Sequence, residues 1–380
     1  LLGSGAAAAV SNRIVITNGG AVFAYGNNNL SVGAGGANNT ILVSGAGSTL
    51  SNGGAIGLNP GTTGNRLTIN SNAVVYGGSL NVSAGNVVDQ FGGKLILWGT
   101  AAGTISPAYT AGDGVQTAAL GIHGANAQTF SAGLVVNTNA YLYGTGVVAG
   151  VTTNRGILSP GINTGAGPGS GAGTLTFGNS LTMLAGSTTM INFLGTGAGN
   201  FDSNRVSAGT LTVNGVINLD FQFDPAPTDA FTIFAANAAP VGGFTVTNWL
   251  GAALSGTLLH SGNNIIISNV SLANYIWDGG AGDNNWGSGA NWLTDVSPVN
   301  DGRAKVIFAA NNLRTTPYVD TAWNVRAIIF SNIINAYNIY GEKITIQSGG
   351  ITNMDDNAQT ISNAIEAAQW QNWDATGAGA

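Results

Sequence analysis

The feature that most constrains this chain is a phrase that returns twice near its start. Asn12-Arg13-Ile14-Val15-Ile16-Thr17 recurs as Asn39-Thr40-Ile41-Leu42-Val43-Ser44 and as Asn65-Arg66-Leu67-Thr68-Ile69-Asn70, at offsets of 27 and 26 residues. A second short apolar run follows each phrase: Ala21-Val22-Phe23, Ser48-Thr49-Leu50 and Ala73-Val74-Val75-Tyr76. A third closes the unit at Leu30-Ser31-Val32, Ile56-Gly57-Leu58 and Leu80-Asn81-Val82. Three short strands cannot bury their inward side chains alone, but each unit stacked on the next covers the one before it. The spacing therefore predicts an all-β parallel β-helix, one triangular coil per unit, with glycine, asparagine and serine at the corners. A hairpin sandwich is the alternative, and the near-constant unit length favours coils. Ile14, Ile16, Ile41, Val43, Leu67 and Ile69 should form two inward stacks, because each pair keeps the strand period of two.

Composition supports a packed core. The chain has 60 glycines and 44% hydrophobic residues, but only 7% are charged, where soluble domains carry about 25%. The glycines have no collagen period and sit between strand patterns, as turn residues do. A net charge of -6 with ten scattered basic residues excludes a nucleic-acid backbone as partner. No cysteine is present, so neither disulfides nor thiolate chemistry arises. Residues 1–10 lack the basic flank and apolar run of a signal peptide, and no apolar stretch reaches 18 residues, so the chain reads as mature or excised and without a transmembrane segment. Its Gly-rich finish at Ala380 carries no cap pattern, and we expect the coils to continue or a neighbour to seal them.

Three segments follow along the chain. Residues 1–155 carry the β-helical repeats, with strand patterns continuing at 94–98, 119–122, 128–136 and 140–143. Residues 156–273 open at Pro160-Gly161, a turn signal followed by a flexible glycine-rich stretch at 165–173, and are interrupted again by Asp224-Pro225-Ala226-Pro227. Residues 274–380 start a new block in which Trp277, Trp286, Trp292 and Trp323 crowd among Asn and Asp.

Two blocks resemble the passenger-like regions of bacterial proteins with autotransporter-associated β-strand repeats. One runs Gly156-Ile157-Leu158-Ser159-Pro160-Gly161, Gly173-Thr174-Leu175-Thr176-Phe177, Leu184-Ala185-Gly186-Ser187-Thr188, Phe201-Asp202 and Gly209-Thr210-Leu211-Thr212-Val213-Asn214-Gly215. It is similar to a closing segment of a repeat block. The other runs Trp277-Asp278-Gly279-Gly280, Asp283-Asn284-Asn285-Trp286, Asn291-Trp292 and Val325-Arg326-Ala327-Ile328-Ile329-Phe330, similar to an opening segment that breaks off before it closes. The resemblance implies a right-handed helix, export, and presentation outside a bacterial cell. An outer-membrane β-barrel, which such proteins use for translocation, has no counterpart pattern here.

Raw material for catalysis is thin. His123 and His260 have no second ligand at metal-binding spacing, and no nucleophile elbow occurs. Asp89, Asp113, Asp220, Asp224 and Asp229 read as turn formers, although paired acids of a glycosidase are set by spatial distance and not by sequence. Asp278, Asp283, Asn284, Asn285, Asp295 and Asp301 offer oxygen donors for a structural calcium ion, without the order of an EF-hand loop. Asp355-Asp356 has too few donors for a cation. Trp277, Trp286 and Trp292 are read first as cover for a new core; the alternative makes them, with Asp278 and Asp283, surface contacts for a ligand. The chain is accordingly expected to be a non-enzymatic, secreted or cell-surface structural protein: a rod, filament component or layer that self-associates or meets neighbouring surface proteins. A carbohydrate-binding adhesin displaying Trp98, Trp249 and the later tryptophans to glycans is the main competitor, and a polysaccharide-processing enzyme the third reading.

Overall fold

The computed structural model describes residues 11–376 apart from 25, 27, 60, 99–100, 125–126, 164–166, 224, 226–227, 251–253, 273, 310–313 and 332–334. Asp224 and Ala380 lie outside the described residues. The chain is an all-β solenoid; Gly289–Asn291, a turn of 3-10 helix, is the sole helical element among the described residues. Two compact units divide it. The first takes residues up to Asp220 with Ala230–Asn248 and Leu258–Ile267; the second takes Phe221–Asp229, Trp249–Thr257 and everything described from Ser268 onward.

In the first unit the chain visits three sheets in rotation, so that every third strand stacks on the same face. The first face begins Arg13–Ile16, Thr40–Ser44, Arg66–Asn70 and Val87–Gln90; the second begins Ala21–Ala24, Thr49–Asn52, Val74–Gly77 and Gly93–Leu97; the third begins Leu30–Val32, Ala55–Leu58 and Ser79–Val82. Pairing between successive coils is parallel, and its register places Ile14, Ile41 and Leu67 in one column and Ile16, Val43 and Ile69 in the next. Both expected stacks are therefore present: five of these six side chains are buried and Ile14 is half-buried. Each fully buried aliphatic contributes about 1.5–3 kcal/mol against the cost of ordering its chain.

Corners are built by hydrogen bonds that repeat with the coils. Asn39 Oδ1 accepts from the backbone N–H and side-chain amide of Asn12 (3.1 and 2.8 Å), Asn65 Oδ1 accepts the same pair from Asn39 (3.0 and 3.0 Å), and Asn86 Oδ1 accepts it from Asn65 (3.0 and 2.9 Å). Asn39, Asn65 and Asn86 are buried, so this ladder satisfies groups that water cannot reach. Gly33, at φ +78°, lies against it: a Cβ there would stand 2.3 Å from the Asn65 amide nitrogen, so only glycine fits.

Further along the first unit the coils lose their constant length, since Leu134 pairs with Thr152 and Thr152 with Leu181. The apolar pattern at 128–136 splits into Ala127–Phe130 and Leu134–Val136, because the Gly133 N–H turns back to Phe130 O at 3.0 Å and makes a corner. The inward column also changes character. Ile69 is followed in register by Gln90, Ala111, Val136, Asn154 and Met183. Gln90 is kept inside by donating to Ala119 O (2.9 Å) and accepting from the Tyr109 hydroxyl (2.7 Å). Gln128 does more: its amide accepts from Leu80 N–H (3.2 Å) and donates to Leu80 O (2.9 Å), two coils away across Gly103. A Cβ on Gly103 would meet Gln128 Oε1 at 2.4 Å. A side-chain amide thus stands in for a strand rung where the intervening strand, Gly103–Ile105, is short.

The second unit stacks Asn274–Ile276, Lys305–Phe308, Trp323–Phe330 and Ile344–Asn353 in parallel, with Ile365–Ala367 and Trp373–Ala375 both on the last of these. A smaller sheet pairs Tyr318–Val319, Asn338–Gly341 and Thr360–Ile361.

Candidate ligand-binding surface

The tryptophans that define the later block are core residues. Trp277, Trp286 and Trp292 have no exposed surface, which excludes them as surface contacts. Their rings meet edge to face: Trp277 and Trp292 at 5.3 Å, Trp286 and Trp292 at 5.9 Å, Trp286 and Trp323 at 5.8 Å. Such geometry aligns the positive edge of one ring with the negative face of the next. Burial also demands partners for the indole N–H groups. Trp277 donates to Arg314 O (3.0 Å) and Trp292 to Trp286 O (2.8 Å), while Trp286 Nε1 has no hydrogen-bond partner among the described residues.

The acidic residues beside them shape loops. Asp278 Oδ1 accepts from Gly280 N–H (3.0 Å). Asp283 accepts from Asn285 N–H (3.0 Å), the Ser288 hydroxyl (2.8 Å) and the Asn291 amide (3.1 Å), and these bonds hold its carboxyl below the usual carboxylate range. Asp301 Oδ1 accepts from Arg303 N–H, and Asp355 Oδ1 from Asn357 N–H. No group of three His, Cys, Asp or Glu side chains that could hold a metal ion occurs among the described residues.

A different surface assembles aromatic and polar groups, on the outside of the second face of the first unit. Strand alternation decides which residues stand there. In Gly93–Leu97, Leu95 and Leu97 are buried inward, so Lys94, Ile96 and the following Trp98 point outward. Register places Gly121 beside Ile96 and Tyr143 beside Gly121. Gly121 is a close-approach position: a Cβ there would lie 2.6 Å from the Tyr143 ring. Tyr143 therefore settles flat over the neighbouring coil and is buried, which raises its hydroxyl to about 12 by desolvation, aided by Tyr76.

His123 follows the strand Ala118–Ile122 and completes a ring stack. Trp98 lies parallel to it, centroids 4.0 Å apart and planes 9° apart, and Tyr143 meets it edge-on at 5.3 Å. His123 is 3% exposed, its pKa is lowered to about 4 by burial, and neither ring nitrogen has a hydrogen-bond partner among the described residues. Trp98 is 55% exposed. One of its faces is backed and the rest looks outward. On the same strand, Lys94 lines a recess of about 490 Å³ with Asn72, Thr117, Tyr141 and the loop residues Gly167 and Pro168.

That loop is pinned where the sequence suggested flexibility. Gly171 N–H bonds Ile162 O (2.8 Å), and the Asn192 amide bonds Gly169 O (2.8 Å). Its end is fixed by Asp202, whose carboxyl group has no exposed surface: Oδ1 accepts from Gly173 N–H (3.0 Å), and Oδ2 from the backbone and side chain of Asn192 (2.8 Å each). Burial outweighs these donors and pushes the Asp202 carboxyl up to about 8. Residues 167–173 are thereby held against the solenoid.

Trp98 stood among the tryptophans the sequence offered for display; His123 and Tyr143 were not joined to it, because their meeting depends on coil register. No known family's sequence profile matches the chain, and no curated protein matches it significantly.

Proposed function

We propose that this chain is a structural scaffold of the bacterial exterior, a rod, filament component or layer whose job is to hold surfaces in fixed register. The observation that carries the reading is the coil-to-coil continuity of the first unit, where the Asn12 to Asn86 ladder and the aliphatic columns run through successive coils in strict register. A ladder of this kind spends buried polar groups on axial order, which stiffens the stack as well as stabilising it. Low charge lowers repulsion between neighbouring copies and suits lateral or end-to-end association. The resemblance of the blocks beginning at Gly156 and Trp277 to exported repeat proteins is what supports a position outside the cell.

Immunogold labelling of intact and permeabilised cells tests the placement, with label expected on intact cells; label only after permeabilisation would refute it. Sedimentation and electron microscopy of the purified chain test assembly. Ordered fibres or sheets are expected at high concentration, and a chain that stays monomeric without ordered contacts on cells would rule out the filament form.

A further inference from the structure

We propose that the outer surface of the second face binds a neutral glycan, with one sugar ring stacked on Trp98. Three observations carry this. First, Trp98 is a rigid platform. Its inner face is backed by His123 at 4.0 Å, His123 is held edge-on by Tyr143, and Tyr143 is locked over Gly121. A ring already fixed loses little freedom when a ligand stacks on it. Second, His123 is only 3% exposed and both of its ring nitrogens are closed off from the surface, so it serves the platform as a fixed backing ring and at the stack the ligand meets Trp98 alone. Third, the recess at Lys94 lies four residues from Trp98 along the same outward row, about 13 Å at the strand rise. Its volume of about 490 Å³ and its amide and hydroxyl groups from Asn72, Thr117 and Tyr141 suit a polyhydroxylated chain reaching across from the platform.

Charge chooses among ligands that stack on tryptophan. A single-stranded nucleic acid or an acidic polysaccharide needs a basic track, and among the described residues Lys94 is the one cation lining the recess. A pyranose offers an apolar C–H face to the indole and hydroxyls at its rim, which matches the exposed ring and its neutral polar surround. This binding is separate from the scaffold role: a scaffold without a ligand and a ligand site on a free monomer are both coherent.

The test uses the whole chain and a panel of neutral hexasaccharides, built from β-1,4-glucose, α-1,4-glucose, β-1,3-glucose, β-1,4-N-acetylglucosamine and β-1,4-mannose, with polygalacturonate as the acidic control, read by calorimetry. At least one neutral hexasaccharide is expected to bind at one site per chain. Trp98→Ala should weaken it at least tenfold, Trp98→Phe by only a few-fold, and His123→Phe, which keeps a backing ring, by no more than about twofold. Trp370→Ala is the control, since Trp370 is 99% exposed and belongs to the second unit. Near-UV circular dichroism confirms folding of each variant, and Trp98→Phe keeps the test decisive if the alanine variant misfolds. Binding to polygalacturonate alone, no binding to any neutral hexasaccharide, or full binding retained by both Trp98 variants would overturn the proposal.

Discussion

Trp98 and the cluster of Trp277, Trp286 and Trp292 are the same residue type in opposite settings, and strand parity separates Trp98 from Trp277. Trp98 shares parity with Lys94 and opposes the buried Leu95 and Leu97, so it stands outside. Trp277 shares parity with the buried Tyr275 of Asn274–Ile276, so it goes inside. A tryptophan in a β-solenoid is thus assigned to core or surface by its two-residue neighbours before any question of binding arises. The hydrogen bonds differ too: the buried indoles of Trp277 and Trp292 are tied to backbone carbonyls, while the Trp98 ring stacks on His123.

The sharpest break of this comparison is to remove an inside ring. Trp292→Ala deletes three edge-to-face contacts, with Tyr275, Trp277 and Trp286, and a hydrogen bond to Trp286 O, and a cavity of that size should cost about 3–5 kcal/mol. Urea unfolding followed by near-UV circular dichroism should show the second unit melting far earlier. A loss below about 1 kcal/mol would mean that these rings do not hold the core.

Next in size is the asparagine ladder. Asn39→Ala strips the acceptor from Asn12 and the side-chain donor from Asn65 Oδ1, which keeps only the backbone N–H of residue 39, leaving buried polar groups under-paired at about 1–3 kcal/mol. Hydrogen exchange should quicken at the paired strands Arg13–Ile16, Thr40–Ser44 and Arg66–Asn70 together. Quickening confined to Asn39 and its immediate neighbours would show that the ladder does not couple the coils.

These residues also mark how far the sequence could be read. The phrase period gave three strands per unit and the two aliphatic columns, because burial on one strand face leaves a period-two trace. Asn12, Asn39 and Asn65 were visible in that phrase, yet they read as turn formers; their bonding to one another appears only when coil register is known. Gln128 reaching Leu80, and Asp202 pinning Gly173 and Asn192, left no local signal at all, since each joins positions distant in sequence through space. Residues 165–166 of the stretch read as flexible lie outside the described residues, and 167–173 are held by bonds of this kind. Glycine content reports permissive backbone and not whether a buried carboxylate gathers its N–H groups.

Two buried titrating groups add pH-dependent effects that are opposite in sign. His123 has a native pKa of about 4 against an ordinary 6.5, so between these values the unfolded chain binds a proton that the native chain refuses, and stability falls as pH drops through that window. Asp202, at about 8 against 3.8, is protonated in the native state where the unfolded carboxyl is not, so its contribution is full below 3.8 and is lost as pH rises toward 8. Melting temperature against pH should separate them. Asp202→Asn should flatten the decline on the neutral side, and His123→Phe should flatten the loss between 6.5 and 4. If both variants kept the wild-type profile, neither group would be linked to folding.

The smallest stability effect belongs to the residue with the proposed ligand. Trp98→Ala removes one stacked pair from a ring already more than half in water, so the expected cost is about 1 kcal/mol. That places it well below Trp292→Ala, although each substitution deletes the same side chain. The same variant should also move the His123 titration, because uncovering that ring lets water reach its nitrogens and raises its pKa toward 6.5. Two-dimensional NMR of the two histidines reads this directly, with His260, an exposed strand residue, as the internal reference. A His123 pKa unchanged in Trp98→Ala, together with a stability loss as large as that of Trp292→Ala, would make Trp98 a core residue in disguise and erase the division between the two kinds of tryptophan.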